Sequence, residues 1–229
     1  MNSAVPGELD PPVVVEPSKP ATAAVVWLHG LGADGHDFEP VAAELGRAGL
    51  DDVRYVFPHA PVRPVTVNGG MAMRAWYDIA ESELDRRADE EGVRASAGIA
   101  RMLVDEQIAR GIAGERIVLA GFSQGGAIAL FEGLRLPFRV AGILALSTYL
   151  PVPGSLAAEA HPANRDVPIF LAHGSQDPVI ALALSERSRA AMANLGYAVE
   201  VHTYPMPHSV CAEEVRDIAN WLQRVLARR

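Results

Sequence analysis

The sequence lacks several features that would each mark a particular class of protein. It contains one cysteine, Cys211, so the fold cannot depend on an internal disulfide, and we expect this thiol to be structural or incidental. No histidine and cysteine spacing typical of a metal site occurs. No apolar run approaches the roughly 18 residues of a membrane span, and residues 1–10 lack the basic and apolar regions of a secretory signal. We therefore expect a cytoplasmic protein with no metal ion and no stable membrane insertion.

Clusters of basic residues are also missing. The 20 lysines and arginines are outnumbered by 28 aspartates and glutamates, which gives a formal net charge of -8. This balance argues against nucleic-acid binding and against a polybasic patch for a membrane surface. The 229 residues contain no internal repeat and suit one core. We predict a proline-rich N-terminal arm over residues 1–20, in which residues 13–15 form at most an edge strand, and a single domain over residues 21–229.

The chain alternates buried strands with helical patterns. An apolar run over residues 22–29 leads into a glycine-rich loop, a helical apolar face and a second apolar run at 53–57. This β-α-β order predicts an α/β fold with a mostly parallel sheet. Residues 81–91 are expected to be solvated, and residues 58–78 and 150–166 to be irregular. Further strands are predicted at 116–120, 140–146, 167–172 and 198–204, and further helices at 93–112, 127–134, 179–195 and 213–226.

The most specific motif is Gly-Phe-Ser-Gln-Gly at residues 121–125, between a predicted strand and a predicted helix. A strand that turns at once into a helix crowds the backbone, and glycines relieve that crowding. This context is that of a nucleophile elbow, which exposes Ser123 Oγ at the carboxyl edge of a sheet. It also puts the N–H of Gln124 at a helix N-terminus, where it can stabilise an oxyanion. The alternative is an ordinary strand-to-helix turn, which the flanking elements disfavour.

Three polar residues follow predicted strands in the chain order serine, acid, histidine. Ser123 would attack an acyl carbonyl, His208 would carry the proton, and Asp177 would orient the imidazole. Asp177 also suits a turn or a helix cap, so a purely structural role for this residue is the alternative. His208 is the preferred candidate for the catalytic histidine because of its position after the last predicted strand. The other histidines would hydrogen-bond neighbouring loops or lie elsewhere, and they are His29, His36, His59, His161, His173 and His202.

The second oxyanion donor should come from the glycine loop, where the N–H of Leu31 joins that of Gln124; a simple chain reversal is the alternative. The irregular segment 58–78 is apolar, so it either packs on the body of the fold or lines a pocket. We expect apolar side chains around the site to bind an acyl chain, and the candidates are Trp76, Met71, Met73, Val179 and Ile180.

Several motifs in order now resemble the phospholipase/carboxylesterase family, which includes bacterial carboxylesterases and acyl-protein thioesterases. The resemblance runs from about Thr22 to the final helix and implies an α/β-hydrolase fold without a large cap domain and without a cofactor. It also implies a triad of Ser123, Asp177 and His208 with Leu31 and Gln124 as oxyanion donors. The motifs are residues 29–38 (HGLGADGHDF), 63–70 (RPVTVNGG), 74–78 (RAWYD), 121–126 (GFSQGG) and 146–149 (LSTY).

One residue departs from the family pattern. The family generally has glycine before the catalytic histidine, whereas this chain has Pro207 before His208. Proline fixes φ near -65° and removes an N–H donor, so a loop that used the freedom of glycine must be rebuilt. We expect a more rigid histidine loop with the triad intact.

We predict a serine carboxylesterase that cleaves small-molecule oxyesters or thioesters of apolar acyl groups through an acyl-enzyme. A lysophospholipase or an acyl-protein thioesterase is the alternative among enzymes. A catalytically silent hydrolase-fold binding protein is the alternative from another class, and Pro207 is its only support. A homodimer is left open.

Overall fold

The computed structural model describes residues 9–80 and 89–227. Most of the predicted solvated segment at 81–91, and the first eight residues of the predicted arm, lie outside these described residues. The described strands are β1 (Val13–Val15), β2 (Ala23–Leu28), β3 (Val53–Phe57), β4 (Val62–Val65), β5 (Met71–Arg74), β6 (Ile117–Phe122), β7 (Gly142–Leu146), β8 (Ile169–Gly174) and β9 (Val199–Tyr204). The described α-helices are α1 (Glu39–Arg47), α2 (Glu90–Ala109), α3 (Gln124–Gly133), α4 (Leu156–Glu159), α5 (Leu182–Asn194) and α6 (Ala212–Val225).

Seven strands form one sheet in the spatial order β1-β3-β2-β6-β7-β8-β9. Every neighbouring pair is parallel except β1 with β3. Because parallel strands need crossovers, helices return the chain from one end of the sheet to the other. The predicted α/β fold with a mostly parallel sheet is confirmed.

The sheet is buried on both faces, which explains why its inner strands read as continuous apolar runs. Every residue of β2, β7 and β8 is buried. The helices α2, α3 and α5 pack on one face, and α1 and α6 pack on the other. None of the helices in the described ranges is long and apolar enough to cross a membrane.

The segment expected to be irregular, 58–78, contains a two-stranded hairpin made of β4 and β5. Gly69 and Gly70 take φ of 67° and 78° between its strands, a conformation that suits glycine. Pro64 is tolerated within β4 because a two-stranded ribbon leaves one edge of each strand without a partner. The proline and glycines of this segment favour irregular structure in the sequence, whereas in the structure they accompany a hairpin.

The predicted arm is partly built into the sheet. Residues 13–15 form the edge strand β1, which pairs antiparallel with β3, and Glu16 accepts hydrogen bonds from Arg54 Nε at 2.9 and 3.1 Å. The predicted loop at 150–166 also contains the short helix α4. Beyond the carboxyl end of β3 the chain adds the small hairpin, so the described residues include no large cap domain.

Candidate active site

The predicted elbow lies between β6, the central strand of the sheet, and α3. Ser123 adopts φ 55° and ψ -120°, a conformation that L-residues rarely take and that the surrounding packing must hold. A Cβ on Gly121 would lie 2.2 Å from the carbonyl carbon of Gly125, and one on Gly125 would lie 2.2 Å from Leu28 O. Both positions therefore require glycine, and the turn presents Ser123 at the carboxyl edge of the sheet.

The structure brings the three predicted side chains into one chain of contacts. His208 Nε2 lies 3.0 Å from Ser123 Oγ, and His208 Nδ1 lies 2.7 Å from Asp177 Oδ2. The carboxylate of Asp177 is fully buried, and its Oδ1 accepts hydrogen bonds from the amides of Val179 and Ile180 at 2.8 and 2.9 Å. Because a carboxylate only accepts, Nδ1 must carry the proton, which leaves the lone pair of Nε2 to receive the serine proton.

These amide contacts also explain a difference from the predicted secondary structure. The helix expected from residue 179 begins at Leu182, because residues 179 and 180 fold around the carboxylate of Asp177 before the helix starts. Asp177 thus stabilises a turn, as the alternative reading allowed, and also contacts His208. The two roles use different oxygens of the same carboxylate.

The loop that carries His208 accommodates Pro207 with His208 turned toward Ser123. The amides of Ser175 and Gln176 donate to Tyr204 O and Met206 O at 2.8 and 3.1 Å, which ties the histidine loop to the acid loop. Proline before His208 therefore does not turn the imidazole away from the serine.

Two other histidines at strand ends support loops around the site. His173 is buried, and its Nε2 lies 2.8 Å from Ile180 O and 3.4 Å from Asp177 Oδ2. The imidazole of His29 lies 2.7 Å from Gly30 O through Nδ1 and accepts the amide of Ala60 at 3.0 Å through Nε2. Burial lowers the pKa of His29 to about 4 and also lowers the pKa of His173, so both rings are neutral near pH 7.

The expected oxyanion donors lie beside the serine. Leu31 and Gln124 both line the cavity that contains Ser123. Gln124 is the first residue of α3, where an amide has no acceptor within the helix, and the positive end of the helix dipole favours an anion. Among the described residues, the amide of Leu31 has no backbone acceptor, so it is free to donate to a ligand.

Trp76 lies behind this cavity and is not on its wall, which corrects the expectation from sequence. The residue is completely buried, and its indole Nε1 donates to His29 O at 2.8 Å. Its amide donates to the side chain of Gln124 at 3.0 Å, and Gln124 Nε2 donates to Tyr77 O at 2.9 Å. Trp76 therefore braces the two segments that carry the expected oxyanion donors.

The cavity has a volume of about 410 Å³. Val179 and Ile180 line it as expected, but Met71 and Met73 do not. Met71 lies in the hairpin with 64% of its surface exposed, and Met73 accepts a hydrogen bond from Asn68 Nδ2 at 3.3 Å. The other lining side chains are not predicted from the sequence, and they include Ala33, Asp37, Val67, Asn68, Tyr77, Ile79, Phe122, Tyr149 and Pro178.

Two tyrosines and an isoleucine form part of this wall. Tyr77 and Ile79 line the cavity, whereas Trp76 lies in the core behind it. Tyr149 follows β7, and its hydroxyl lies 2.9 Å from that of Tyr77.

The mostly parallel sheet carries a serine elbow on its central strand and has an acid and a histidine beyond its later strands. This combination defines an α/β-hydrolase. Residues 9–226 match the Phospholipase/Carboxylesterase family, and the chain belongs to this family.

Named relatives agree with this assignment. The chain is 41% identical over 222 residues to "Acyl-protein thioesterase 1" of Neurospora crassa, a match that covers 93% of this chain and 90% of that protein. The crystal structure of Arabidopsis thaliana SOBER1 has a TM-score of 0.85 at 30% identity over 89% of this chain and 99% of its own. That of Zea mays acyl-protein thioesterase 2 has a TM-score of 0.83 at 29% identity over 94% and 99%. The predicted serine ester hydrolase is confirmed, and both the ester and thioester readings fit.

Proposed function

We propose that this protein hydrolyses oxyesters or thioesters of apolar acyl groups, with Ser123 as nucleophile, His208 as general base and acid, and Asp177 as the residue that orients His208. The observation that carries the proposal is the continuous contact from Ser123 Oγ through His208 to Asp177, at 3.0 and 2.7 Å. An unactivated serine is a poor nucleophile, and this arrangement supplies the base that activates it.

The reaction proceeds in two halves. Ser123 Oγ attacks the carbonyl carbon while its proton moves to His208 Nε2, and the amides of Leu31 and Gln124 stabilise the negative charge on the carbonyl oxygen. The bond to the leaving group breaks as His208 returns the proton to the departing oxygen or sulfur. Water then attacks the acyl-enzyme with His208 again as base, which releases the acid and restores Ser123. No other reactant is needed.

The preference for an apolar acyl group rests on one side of the cavity. Tyr77, Ile79, Tyr149 and Ile180 belong to the apolar core on the α2, α3 and α5 face, and all four line the cavity. Each methylene of the substrate that leaves water there contributes about 0.8 kcal/mol. Longer acyl chains should therefore bind more tightly until the cavity is filled.

The alternatives differ in substrate or in chemistry. The relatives named acyl-protein thioesterases support a thioester substrate, for which the same residues would serve. A silent binding protein is disfavoured because the serine, histidine and aspartate remain in contact despite Pro207. A cytoplasmic location, a homodimer and the division into an arm and one domain stay predictions.

The test is hydrolysis of p-nitrophenyl esters from acetate to palmitate by the wild type, Ser123→Ala and the control Ser18→Ala. Ser18 is exposed and lies in the N-terminal arm, so its variant should match the wild type. We expect Ser123→Ala to lose activity by on the order of 10⁴-fold. An inactive wild type, or an active Ser123→Ala, would contradict the proposal. The matched thioester series then measures which ester class is preferred.

A further inference from the structure

One charged residue of the cavity has no place in the reaction described above. Asp37 lines the same cavity as Ser123 and His208, and its side chain stays accessible to solvent. It lies in the turn before α1, next to the buried Phe38. A carboxylate on the wall of an otherwise mostly apolar site is a candidate for recognising part of the substrate.

The position of Asp37 relative to the sheet tells which part of the substrate it meets. The apolar side chains assigned above to the acyl group, Tyr77, Ile79, Tyr149 and Ile180, belong to the core on the α2, α3 and α5 face. Phe38 and Phe122 pack with the core on the opposite face, beside α1 and α6. Asp37 therefore approaches the cavity from the side opposite the proposed acyl site.

The histidine lies on this same side. The ring of Phe122 lies 4.7 Å from the ring of His208 and 5.7 Å from the ring of Phe38, centre to centre. Since His208 must deliver a proton to the departing oxygen or sulfur, the leaving group has to lie against His208. Asp37 directly precedes Phe38 in the chain and lines the cavity, so the ring contacts connect His208 with the part of the wall that Asp37 forms. On this argument the carboxylate of Asp37 lies at the leaving-group end of the cavity.

The charge of Asp37 is not neutralised by the protein. Among the described residues, its carboxylate has no hydrogen-bond or ion-pair partner. The neighbouring His36 pairs with Glu39 at 2.9 Å, and Arg74 pairs with Asp10 at 2.8 Å. Partial burial, followed by the charge of Asp34, raises the pKa of Asp37, and no cation opposes this. An unpaired carboxylate at this point attracts cations and repels anions.

We propose that Asp37 selects the leaving group by charge, so that the enzyme prefers esters and thioesters whose departing alcohol or thiol carries a positive charge and discriminates against anionic ones. The inference rests on the proposed function, because it requires catalysis by Ser123 and His208. It concerns the alcohol or thiol side of the substrate, whereas the apolar wall concerns the acyl side.

Three butyryl thioesters of nearly equal size test the proposal: those of thiocholine, 3,3-dimethylbutanethiol and 2-mercaptoethanesulfonate, which carry a positive, zero and negative charge. Thiol release gives kcat/KM for each. We expect the wild type to rank them in that order. Asp37→Asn should lower the cation-to-anion ratio by about tenfold, equivalent to ~1.4 kcal/mol. Asp37→Glu keeps the charge and should keep the ratio.

Asp105→Asn is the matched control, because it removes the same charge from an exposed position on α2, where Asp105 pairs with Arg101. Its ratio should equal that of the wild type. A rising salt concentration should reduce the wild-type ratio, since the carboxylate is accessible to solvent. If Asp37→Asn and the wild type share one ratio while the neutral thioester is hydrolysed, the role of Asp37 is overturned and the proposed function stands. If the wild type hydrolyses none of the three, the proposed function itself fails.

Discussion

The substitution Asp177→Asn tests the histidine tautomer with almost no change of shape. The amides of Val179 and Ile180 both point at Oδ1 of Asp177, so the asparagine oxygen must occupy this place. The reverse orientation would place an NH₂ group against two backbone N–H donors and lose both hydrogen bonds, at a cost of about 0.5–1.5 kcal/mol for each. The asparagine NH₂ therefore faces His208 Nδ1, 2.7 Å away in the wild type.

The consequence for His208 follows from the inventory of donors and acceptors. With an NH₂ group opposite, Nδ1 must accept, so the proton moves to Nε2 and points at Ser123 Oγ, 3.0 Å away. This tautomer cannot take the serine proton. We expect kcat to fall on the order of 10⁴-fold, which corresponds to ~5.4 kcal/mol of lost transition-state stabilisation.

The assay is p-nitrophenyl butyrate hydrolysis, with thermal unfolding measured on the same samples. Because the amide keeps the two backbone contacts, the Tm of Asp177→Asn should stay near that of the wild type, which separates a chemical defect from misfolding. Asp105→Asn, on the surface of α2, is the control for removing one negative charge. A variant that folds normally and keeps kcat within about tenfold of the wild type would refute the assigned tautomer and the role of Asp177.

Three further substitutions test the surroundings of the site. Gly174→Ala should lower kcat by on the order of 10²-fold, because its Cβ would lie 2.3 Å from Met206 O and would displace the histidine loop. The control Gly98→Ala, whose Cβ would have no atom nearby, should keep the wild-type kcat. Equal values of kcat for the two variants would refute the role of Gly174. Pro207→Gly should keep activity and lower the free energy of unfolding by ~0.4–1 kcal/mol, measured by urea titration, and unchanged stability would contradict a stiffened loop. Burial raises the pKa of Glu214 to about 8. Above about pH 4.5 the folded state therefore keeps a proton that the unfolded state has lost, and the free energy of unfolding falls as pH rises, by roughly 3 kcal/mol at pH 7. Glu214→Gln should therefore raise Tm more at pH 8 than at pH 5, whereas an equal change at both values would exclude this linkage.

The sheet and the elbow could be predicted because their causes are local. Buried parallel strands require apolar runs, and the turn at Ser123 requires glycine on both sides, since a Cβ at Gly121 or Gly125 would meet backbone atoms at 2.2 Å. The contact of Asp177 with His208 was also within reach, because parallel strands end at one edge of a sheet and both residues follow such strands.

The wall of the cavity could not be read from composition. Methionine and tryptophan in an apolar segment indicate burial or contact with a ligand, but not which side of the segment faces the cavity. Trp76 faces the core, where its indole bonds His29 O, and Met71 and Met73 belong to a hairpin outside the main sheet. The pairing of this hairpin depends on its turn at Gly69 and Gly70, and paired glycines in a sequence mark a break as readily as a hairpin turn.

Proline is tolerated before His208 for a structural reason, which lies in the loop that carries Asp177. The strands β8 and β9 pair in register up to Gly174 and Tyr204, and the two loops beyond them stay hydrogen-bonded through the amide of Gln176 and the carbonyl of Met206. The carbonyls of Met206 and Pro207 approach within 2.3 and 2.5 Å of where a Cβ on Gly174 would be. The small residue that this close approach requires is therefore Gly174 in the acid loop. Residue 207 itself needs only a backbone that proline can adopt, so the substitution that set this chain apart from its family leaves His208 against Ser123.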